Sequence, residues 1–184
     1  VIAVGTNYQT PLNVVDPATG VVIWKIWEQT GSETMSTTDY CGKVLRDMVF
    51  VDTDGDGARE IVFGNESHTL YAMNAADGRE KWKSQVGDKV SVIKLLEEGG
   101  PEADERIVAA TEAGEVYLYD RSGRRRAMIS LGSGVTGLEV IDGGTPSGHS
   151  LLVTTDDGRV AVDGTDFVPR GSLDAGVGRI NAVF

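Results

Sequence analysis

The feature that most constrains the fold of this chain is a repeat of short apolar runs. Three runs begin at Ile61, Ile107 and Leu151, about 45 residues apart, and another begins at Ile2. The four runs are Ile2-Ala3-Val4-Gly5-Thr6, Ile61-Val62-Phe63-Gly64-Asn65, Ile107-Val108-Ala109-Ala110-Thr111 and Leu151-Leu152-Val153-Thr154-Thr155. Each run proceeds through a turn into a second apolar segment. This regularity predicts an array of similar small units.

Each unit contains four segments that are typical of β-strands. Second strands are predicted at Leu12 to Asp16, Leu70 to Asn74, Val116 to Asp120 and Val160 to Asp163; third strands at Val22 to Trp27, Glu80 to Val86, Arg126 to Leu131 and Phe167 to Leu173; fourth strands at Val44 to Val51, Val90 to Leu95, Val135 to Ile141 and Val177 to Phe184. Turns such as Ala75-Ala76-Asp77-Gly78 follow the second strands, so a hairpin lies at the same place in every unit. Because apolar residues follow no helical period over any convincing length, the predicted class is all-β.

Units of about 45 residues with four strands are typical of β-propeller blades. We therefore expect residues 1–184 to form a single β-propeller domain or a fragment of one, with repeat units at about 1–51, 61–95, 107–141 and 151–184 and linkers between them. The first unit is longer by about a dozen residues. Its excess is the Ser- and Thr-rich stretch from Gly31 to Asp39, which is predicted to be either an inserted loop or a binding loop.

A carboxylate-rich loop precedes the second unit. Its oxygen donors alternate in the pattern that suits a calcium ion, and Gly57 permits the tight turn that the loop needs. The expected ligands are Asp52, Asp54, Asp56, the backbone carbonyl of Ala58, and Glu60. An EF-hand is excluded because its twelfth position, which requires a carboxylate, is Phe63. An acidic turn without an ion is the alternative, although four carboxylates this close repel one another unless a cation balances them.

Two resemblances to known repeat families follow from these motifs. The Asp52 to Glu60 loop with its following strand resembles the FG-GAP or VCBS type of propeller repeat, which implies calcium held between blades. The run from Leu70 to Trp82 is similar to the pyrroloquinoline-quinone type of propeller repeat, as is the run from Val14 to Trp24. In that family the tryptophan after the turn packs between blades, and Trp24 and Trp82 hold that place, whereas the third and fourth units carry no tryptophan there.

The blade order of these families implies an offset between repeats and blades. The chain would start on the second strand of a blade, and Val177 to Phe184 would be an innermost strand that completes the first blade and closes a four-bladed ring. The alternative is a larger ring built from further blades of a longer chain, since related propellers usually have more blades and the sequence begins at Val1 without Met.

Composition narrows the function classes. The chain has 17 basic and 28 acidic residues, a net charge of −11, which argues against binding to nucleic acid or to an anionic membrane. The one basic cluster, Arg124-Arg125-Arg126, is interpreted as the charged edge of a strand, and an anion site is the alternative. Cys41 is alone, and His68 and His149 have no metal-ligand spacing, so all three are expected to be structural or surface residues. No catalytic constellation is evident.

Three functions remain open. The first is a non-catalytic, calcium-stabilised scaffold that binds a protein or a glycan, secreted, periplasmic or at the cell surface, where free calcium is plentiful. The second is part of a calcium-containing polysaccharide lyase of the rhamnogalacturonan type, whose repeats resemble the Asp52 to Glu60 loop; the chain lacks the convergent basic and His residues of such a site. The third and weakest is a quinone-dependent dehydrogenase, suggested by the Trp-containing repeats alone.

Overall fold

The computed structural model describes residues 1–5, 12–26, 45–96, 105–142, 149–164 and 169–174. These residues form fifteen β-strands, which confirms the predicted all-β class. The strands are β1 (Ile2–Gly5), β2 (Leu12–Val15), β3 (Val22–Ile26), β4 (Leu45–Val51), β5 (Glu60–Asn65), β6 (Thr69–Asn74), β7 (Glu80–Gln85), β8 (Val90–Leu96), β9 (Arg106–Thr111), β10 (Glu115–Asp120), β11 (Arg125–Ser130), β12 (Val135–Asp142), β13 (His149–Thr155), β14 (Arg159–Gly164) and β15 (Pro169–Asp174). The predicted strand at Val177 to Phe184, the Gly31 to Asp39 stretch and Cys41 lie outside the described residues.

The strands form four antiparallel sheets that follow one another along the chain. We call them blade 1 (β1 to β3), blade 2 (β4 to β7), blade 3 (β8 to β11) and blade 4 (β12 to β15). Each sheet is offset by one strand from the sequence repeats, because the strand that ends one unit pairs with the strand that opens the next, as Val51 pairs with Glu60. Strand β8, the first of blade 3, packs against β4 and β12, the first strands of the two neighbouring blades.

The hydrophobic core is divided into three clusters, and each cluster lies between two successive blades. Blades 1 and 2 share the cluster of Leu12, Val14, Ile26, Leu45, Ile61, Phe63, Tyr71, Met73 and Ala75. Blades 2 and 3 share the cluster of Val51, Val62, Leu70, Ala72, Val86, Val90, Ile93, Ile107, Ala109, Tyr117 and Tyr119. Blades 3 and 4 share the cluster of Leu96, Val108, Ala110, Val116, Leu118, Val135, Leu138, Leu151 and Val153. The blades are therefore stacked face to face, as in a β-propeller.

The alternation of side chains along a strand explains why the repeats begin with uninterrupted apolar runs. On β5, Ile61 and Phe63 face blade 1, whereas Val62 between them faces blade 3. On β9, Ile107 faces blade 2 and Val108 faces blade 4. Because neighbouring blades cover both faces of a blade, the buried middle parts of these strands, Ile61 to Gly64 and Ile107 to Ala110, must be apolar or small.

Two tryptophans join blade 1 to the hairpin turn of blade 2, and blade 2 to the hairpin turn of blade 3. The indole Nε1 of Trp24 in blade 1 donates a hydrogen bond to the carbonyl of Ala75 in blade 2, at 2.9 Å. Trp82 in blade 2 donates in the same way to the carbonyl of Arg121 in blade 3, at 3.2 Å. Both indoles lie against a glycine of that turn, Gly78 or Gly123. The tryptophans thus occupy the inter-blade position that the quinone-type repeat implied.

Blade 3 packs on blade 4 without a tryptophan. Ala127 follows the turn of blade 3 in the place of the indole and packs, half-buried, against the third core cluster together with Ile129. The missing indole therefore removes one hydrogen bond and one ring contact but not the apolar docking of the two blades.

The remaining polar motifs of the sequence lie at the surface. Arg125 and Arg126 are exposed on the edge strand β11, and Arg126 forms an ion pair of 2.7 Å with Asp120. His68 lies in the turn between β5 and β6, and its Nε2 is 3.5 Å from a carboxylate oxygen of Asp88. No helix among the described residues has the length and apolar character that crossing a bilayer requires.

The turn glycines allow the tryptophan contact to be tested with a matched pair. Gly20 and Gly78 hold the same place in their turns, each donating its N–H to the carbonyl four residues earlier, with φ of 71° and 74°. A Cβ at Gly78 would lie 2.8 Å from the Trp24 ring, whereas a Cβ at Gly20 would meet nothing within 4 Å. We expect Gly20→Ala to lower the free energy of unfolding by about 1–2 kcal/mol through backbone strain, and Gly78→Ala by roughly 1–3 kcal/mol more through the clash. Urea unfolding of both variants measures the difference, and equal losses would contradict the tight packing of the indole on the turn.

Candidate metal centre

The acidic loop connects β4 to β5 within blade 2. Val51 and Glu60, the residues at its two ends, are cross-strand partners. The left-handed backbone of Gly55 and Gly57, with φ of 80° and 85°, lets the intervening chain curl back on itself. Both oxygens of the Asp52 carboxylate lie inside this curl and accept backbone N–H groups, from Gly55 at 2.6 Å and from Gly57 at 2.9 Å. The loop therefore folds around Asp52.

These hydrogen bonds keep Asp52 ionised. The N–H of Gly57, followed by smaller contributions that include the N–H of Gly55, stabilises the charged carboxylate and lowers the pKa of Asp52 below its ordinary value. Asp56 makes a similar local contact, since its Oδ1 accepts the N–H of Ala58 at 2.7 Å.

Glu60 closes the loop from inside the blade. Its side chain is 0% exposed, and its Oε2 accepts two hydrogen bonds from Thr53, one from the backbone N–H at 2.9 Å and one from Oγ1 at 2.7 Å. Its other oxygen, Oε1, is buried and has no hydrogen-bond partner among the described residues. An unpaired carboxylate oxygen in a buried position is costly, so this atom is the one in the loop that most needs a further partner.

The unpaired oxygen belongs to a cluster of carboxylates. Asp52, Asp54 and Glu60 can each place one carboxylate oxygen so that the three atoms lie within 4.8 Å of one another. The structure thus brings together three of the five predicted ligands. Asp56 lies outside this group. The contact seen at Ala58 is the hydrogen bond that its N–H donates to Asp56, and it does not involve the Ala58 carbonyl. The roles of Asp56 and Ala58 as ligands therefore stay a prediction.

Lys81 of β7 enters the same cluster. Its Nζ lies 2.6 Å from Oδ2 of Asp54 and 3.8 Å from Oε1 of Glu60. The hydrogen bond from Lys81 lowers the pKa of Asp54, and the same bond raises the pKa of Lys81, so both groups are charged at neutral pH. The sequence analysis did not predict this lysine, because its contact with the loop depends on the register of β7 against β6.

The register of β7 explains how Lys81 reaches the loop. Trp82 pairs with Ala72 and Glu80 pairs with Met73, so Lys81 is an extra residue without a cross-strand partner. Such a bulge redirects the side chain of the extra residue out of the regular alternation. The lysine is thereby aimed at the acidic loop.

The loop also contacts blade 3. The backbone N–H of Asp52 donates to Oε2 of Glu105 at 3.3 Å, and Arg59 forms an ion pair of 3.1 Å with Oε1 of the same residue. A Cβ on Gly55 would lie 3.4 Å from the guanidinium of Arg121, in the turn of blade 3. The cluster therefore lies at the junction of blades 2 and 3, where a bound ion would stabilise one blade against the other.

A second polar group, between β7, β8 and β10, differs in character. The hydroxyl of Tyr117 donates to Oε2 of Glu115 at 2.6 Å and accepts the N–H of Gly87 at 2.8 Å. Burial, and then the hydrogen bond to Glu115, raises the pKa of Tyr117 to about 12. The phenol keeps its proton at neutral pH, so this group stabilises the fold rather than transferring protons.

Solved structures of known proteins share this fold. Two crystal structures of BBS1N in complex with ARL6DN, soaked with mercury or with lead, superpose with a TM-score of 0.64 at 17% identity, and the aligned part covers 93% of this chain and 48% or 50% of theirs. The computationally designed Ika8 protein superposes with a TM-score of 0.65 at 14% identity, over 94% of this chain and 45% of that one. The chain thus spans about half the length of the solved chains that it matches. At these identities the likeness shows the fold alone.

Sequence families give a closer relation. No curated protein matches the chain in sequence. The family model described as outer membrane protein assembly factor BamB, a model of pyrroloquinoline-quinone-type repeats, matches residues 1–162. This match includes the two tryptophan-containing runs, the acidic loop and most of the fifteen strands. The chain therefore belongs to this family of β-propeller repeat proteins, whose description is outer membrane protein assembly factor BamB.

Proposed function

We propose that this protein is a non-catalytic β-propeller scaffold for protein interaction in which a calcium ion, held by an FG-GAP-like loop, braces two blades. Asp52, Asp54 and Glu60 are its carboxylate ligands, and Asp56 and the Ala58 carbonyl are further donors of the same loop. The binding role belongs to the scaffold surface, and the role of the ion is structural.

The observation that carries the metal proposal is the buried Oε1 of Glu60, which accepts no hydrogen bond and has the Lys81 ammonium only at 3.8 Å. A carboxylate oxygen that is removed from water and accepts no hydrogen bond is stabilised best by a cation in direct contact. Three carboxylates of one loop suit calcium, which takes most of its oxygen ligands from the protein, better than magnesium, which usually keeps several waters and binds through one or two carboxylates.

The comparisons support a protein as the partner. The family is described by an assembly factor, and the BBS1N structures are of complexes with ARL6DN, another protein. Both descriptions refer to assembly with other proteins, so we favour a protein partner over a glycan. We propose that the protein lies outside the cytoplasm, in the periplasm, in the extracellular medium or at the cell surface. Free calcium is high enough there to occupy a site of modest affinity.

Calcium dependence of thermal stability tests the metal site. In calcium at about 100 times the dissociation constant, binding to the folded state adds about 2.7 kcal/mol, which raises the melting temperature by roughly 5–10 °C for a chain of this size. We expect this rise in the natural chain, a smaller one in magnesium, and none in the Asp54→Asn variant. Asp77→Asn removes the same charge from an exposed turn of the same blade and should retain the full rise. Melting curves that are identical in calcium and in chelator would contradict the proposed site.

Glu60→Gln separates a role in metal binding from a role in the turn. In chelator the variant loses a buried charge that has no full partner, so its melting temperature should equal or exceed that of the natural chain. In saturating calcium the order should reverse, because the amide is a weak ligand and the stabilisation by the ion is lost. Calorimetric melting of both proteins in both conditions shows whether the order changes. An equal loss in calcium and in chelator would mean that Glu60 serves the turn through Thr53 alone.

Activity assays distinguish the scaffold from the two enzymes that the sequence left open. A scaffold predicts no unsaturated product from pectic polymers and no bound chromophore after purification. A rhamnogalacturonan lyase serves as the positive control in the first assay, and an absorption spectrum of the purified chain provides the second. Cleavage of the polymer at a rate above the buffer blank would overturn the non-catalytic proposal.

A further inference from the structure

The cation already present in the acidic cluster is an ammonium group of the protein itself. Lys81 Nζ lies at hydrogen-bonding distance, 2.6 Å, from Asp54 and at 3.8 Å from the unpaired oxygen of Glu60. These are two of the three carboxylates that the proposed calcium ion would use. The lysine and the ion thus compete for the same carboxylates.

The two cations cannot both have full contact with these oxygens. A calcium ion sits about 2.3–2.6 Å from its ligands, so an ammonium at 2.6 Å from Asp54 would lie within a few ångströms of the metal, where like charges repel strongly. The lysine must therefore move for the ion to bind.

The structure allows such a movement. The Lys81 side chain is 28% exposed, and its backbone lies on β7, the edge strand of blade 2, so the ammonium can turn outward into water. The loop keeps its shape without the lysine, because Asp52 is held by Gly55 and Gly57, and Glu60 is held by Thr53. Movement of one flexible side chain, rather than refolding of the loop, is what the exchange requires.

We propose that Lys81 is a built-in competitor for calcium, so that the Lys81–Asp54 ion pair and the bound ion exclude each other and the lysine sets the affinity of the site. This inference rests on the proposed function, since it concerns the same cluster. At low calcium the ammonium balances the charge of the carboxylates. At high calcium the ion replaces it and releases Lys81 from the loop at the junction of blades 2 and 3.

Calcium titration of the chain and its Lys81→Gln variant tests the competition. Removal of the ammonium should lower the dissociation constant for calcium on the order of tenfold, as measured by calorimetric titration with calcium chloride. The variant should also melt earlier than the natural chain in chelator and recover in calcium. Lys81→Arg retains the charge and should leave the affinity close to natural. Lys83→Gln removes a charge two residues along the same strand, where the lysine lies 3.9 Å from Glu80, and should change the dissociation constant less than twofold.

The outcomes separate this inference from the proposed function. Equal affinities for the natural chain and Lys81→Gln would overturn the competition and leave the calcium site standing. Binding by Lys81→Gln alone would support the competition and overturn the proposal that the natural chain holds calcium, because the ammonium would then fill the site permanently. Absence of binding in every variant, with melting unchanged by calcium, would overturn both.

Discussion

Packing of one blade on the next is the interaction on which the rest of the structure depends. No blade has a core of its own in the described part of the chain; each apolar cluster is made by two successive sheets. Since side chains alternate between the two faces of a strand, Ile61 and Val62 contribute to different clusters although they are neighbours in sequence. A change on one strand therefore acts on the junction with the blade that it faces. Stability is accordingly a property of neighbouring pairs of blades, as in other repeat proteins.

Close approach of the sheets also decides where side chains must be absent. A Cβ at Gly64 of β5 would lie 2.4 Å from Val90 of β8, so the blades could not pack as they do with any larger residue. Gly123 accepts the Trp82 indole in the same way, and a Cβ there would lie 2.4 Å from the ring. These glycines have different backbone conformations, since only Gly123 has a positive φ, but they share one physical role. They make room for an apolar group of the neighbouring blade.

The sequence predicts the local features of this fold better than the features that depend on register. Strand bounds agree with the predicted ones to within a few residues, because apolar runs and Gly-containing turns act locally. The tryptophan positions follow from their place after the turn. Lys81 could not be found in this way, because its contact with Asp54 depends on a bulge that shifts β7 against β6. Docking of blade 4 without a tryptophan depends on small contributions from many residues, such as Ala127, that no motif marks.

The acidic loop shows how an incomplete polar network within a blade can act on the junction between blades. Thr53 satisfies one oxygen of Glu60 and leaves the other without a hydrogen bond, while Asp52 uses its carboxylate to shape the loop and its N–H to hold Glu105 of blade 3. Any cation that contacts this second oxygen therefore also fixes the backbone that contacts the next blade. An ammonium provides one positive charge and directional hydrogen bonds, whereas a calcium ion provides two positive charges and is coordinated by oxygen ligands from several directions. Replacement of Lys81 by the proposed ion would thus tighten the junction of blades 2 and 3 without a change in the apolar core.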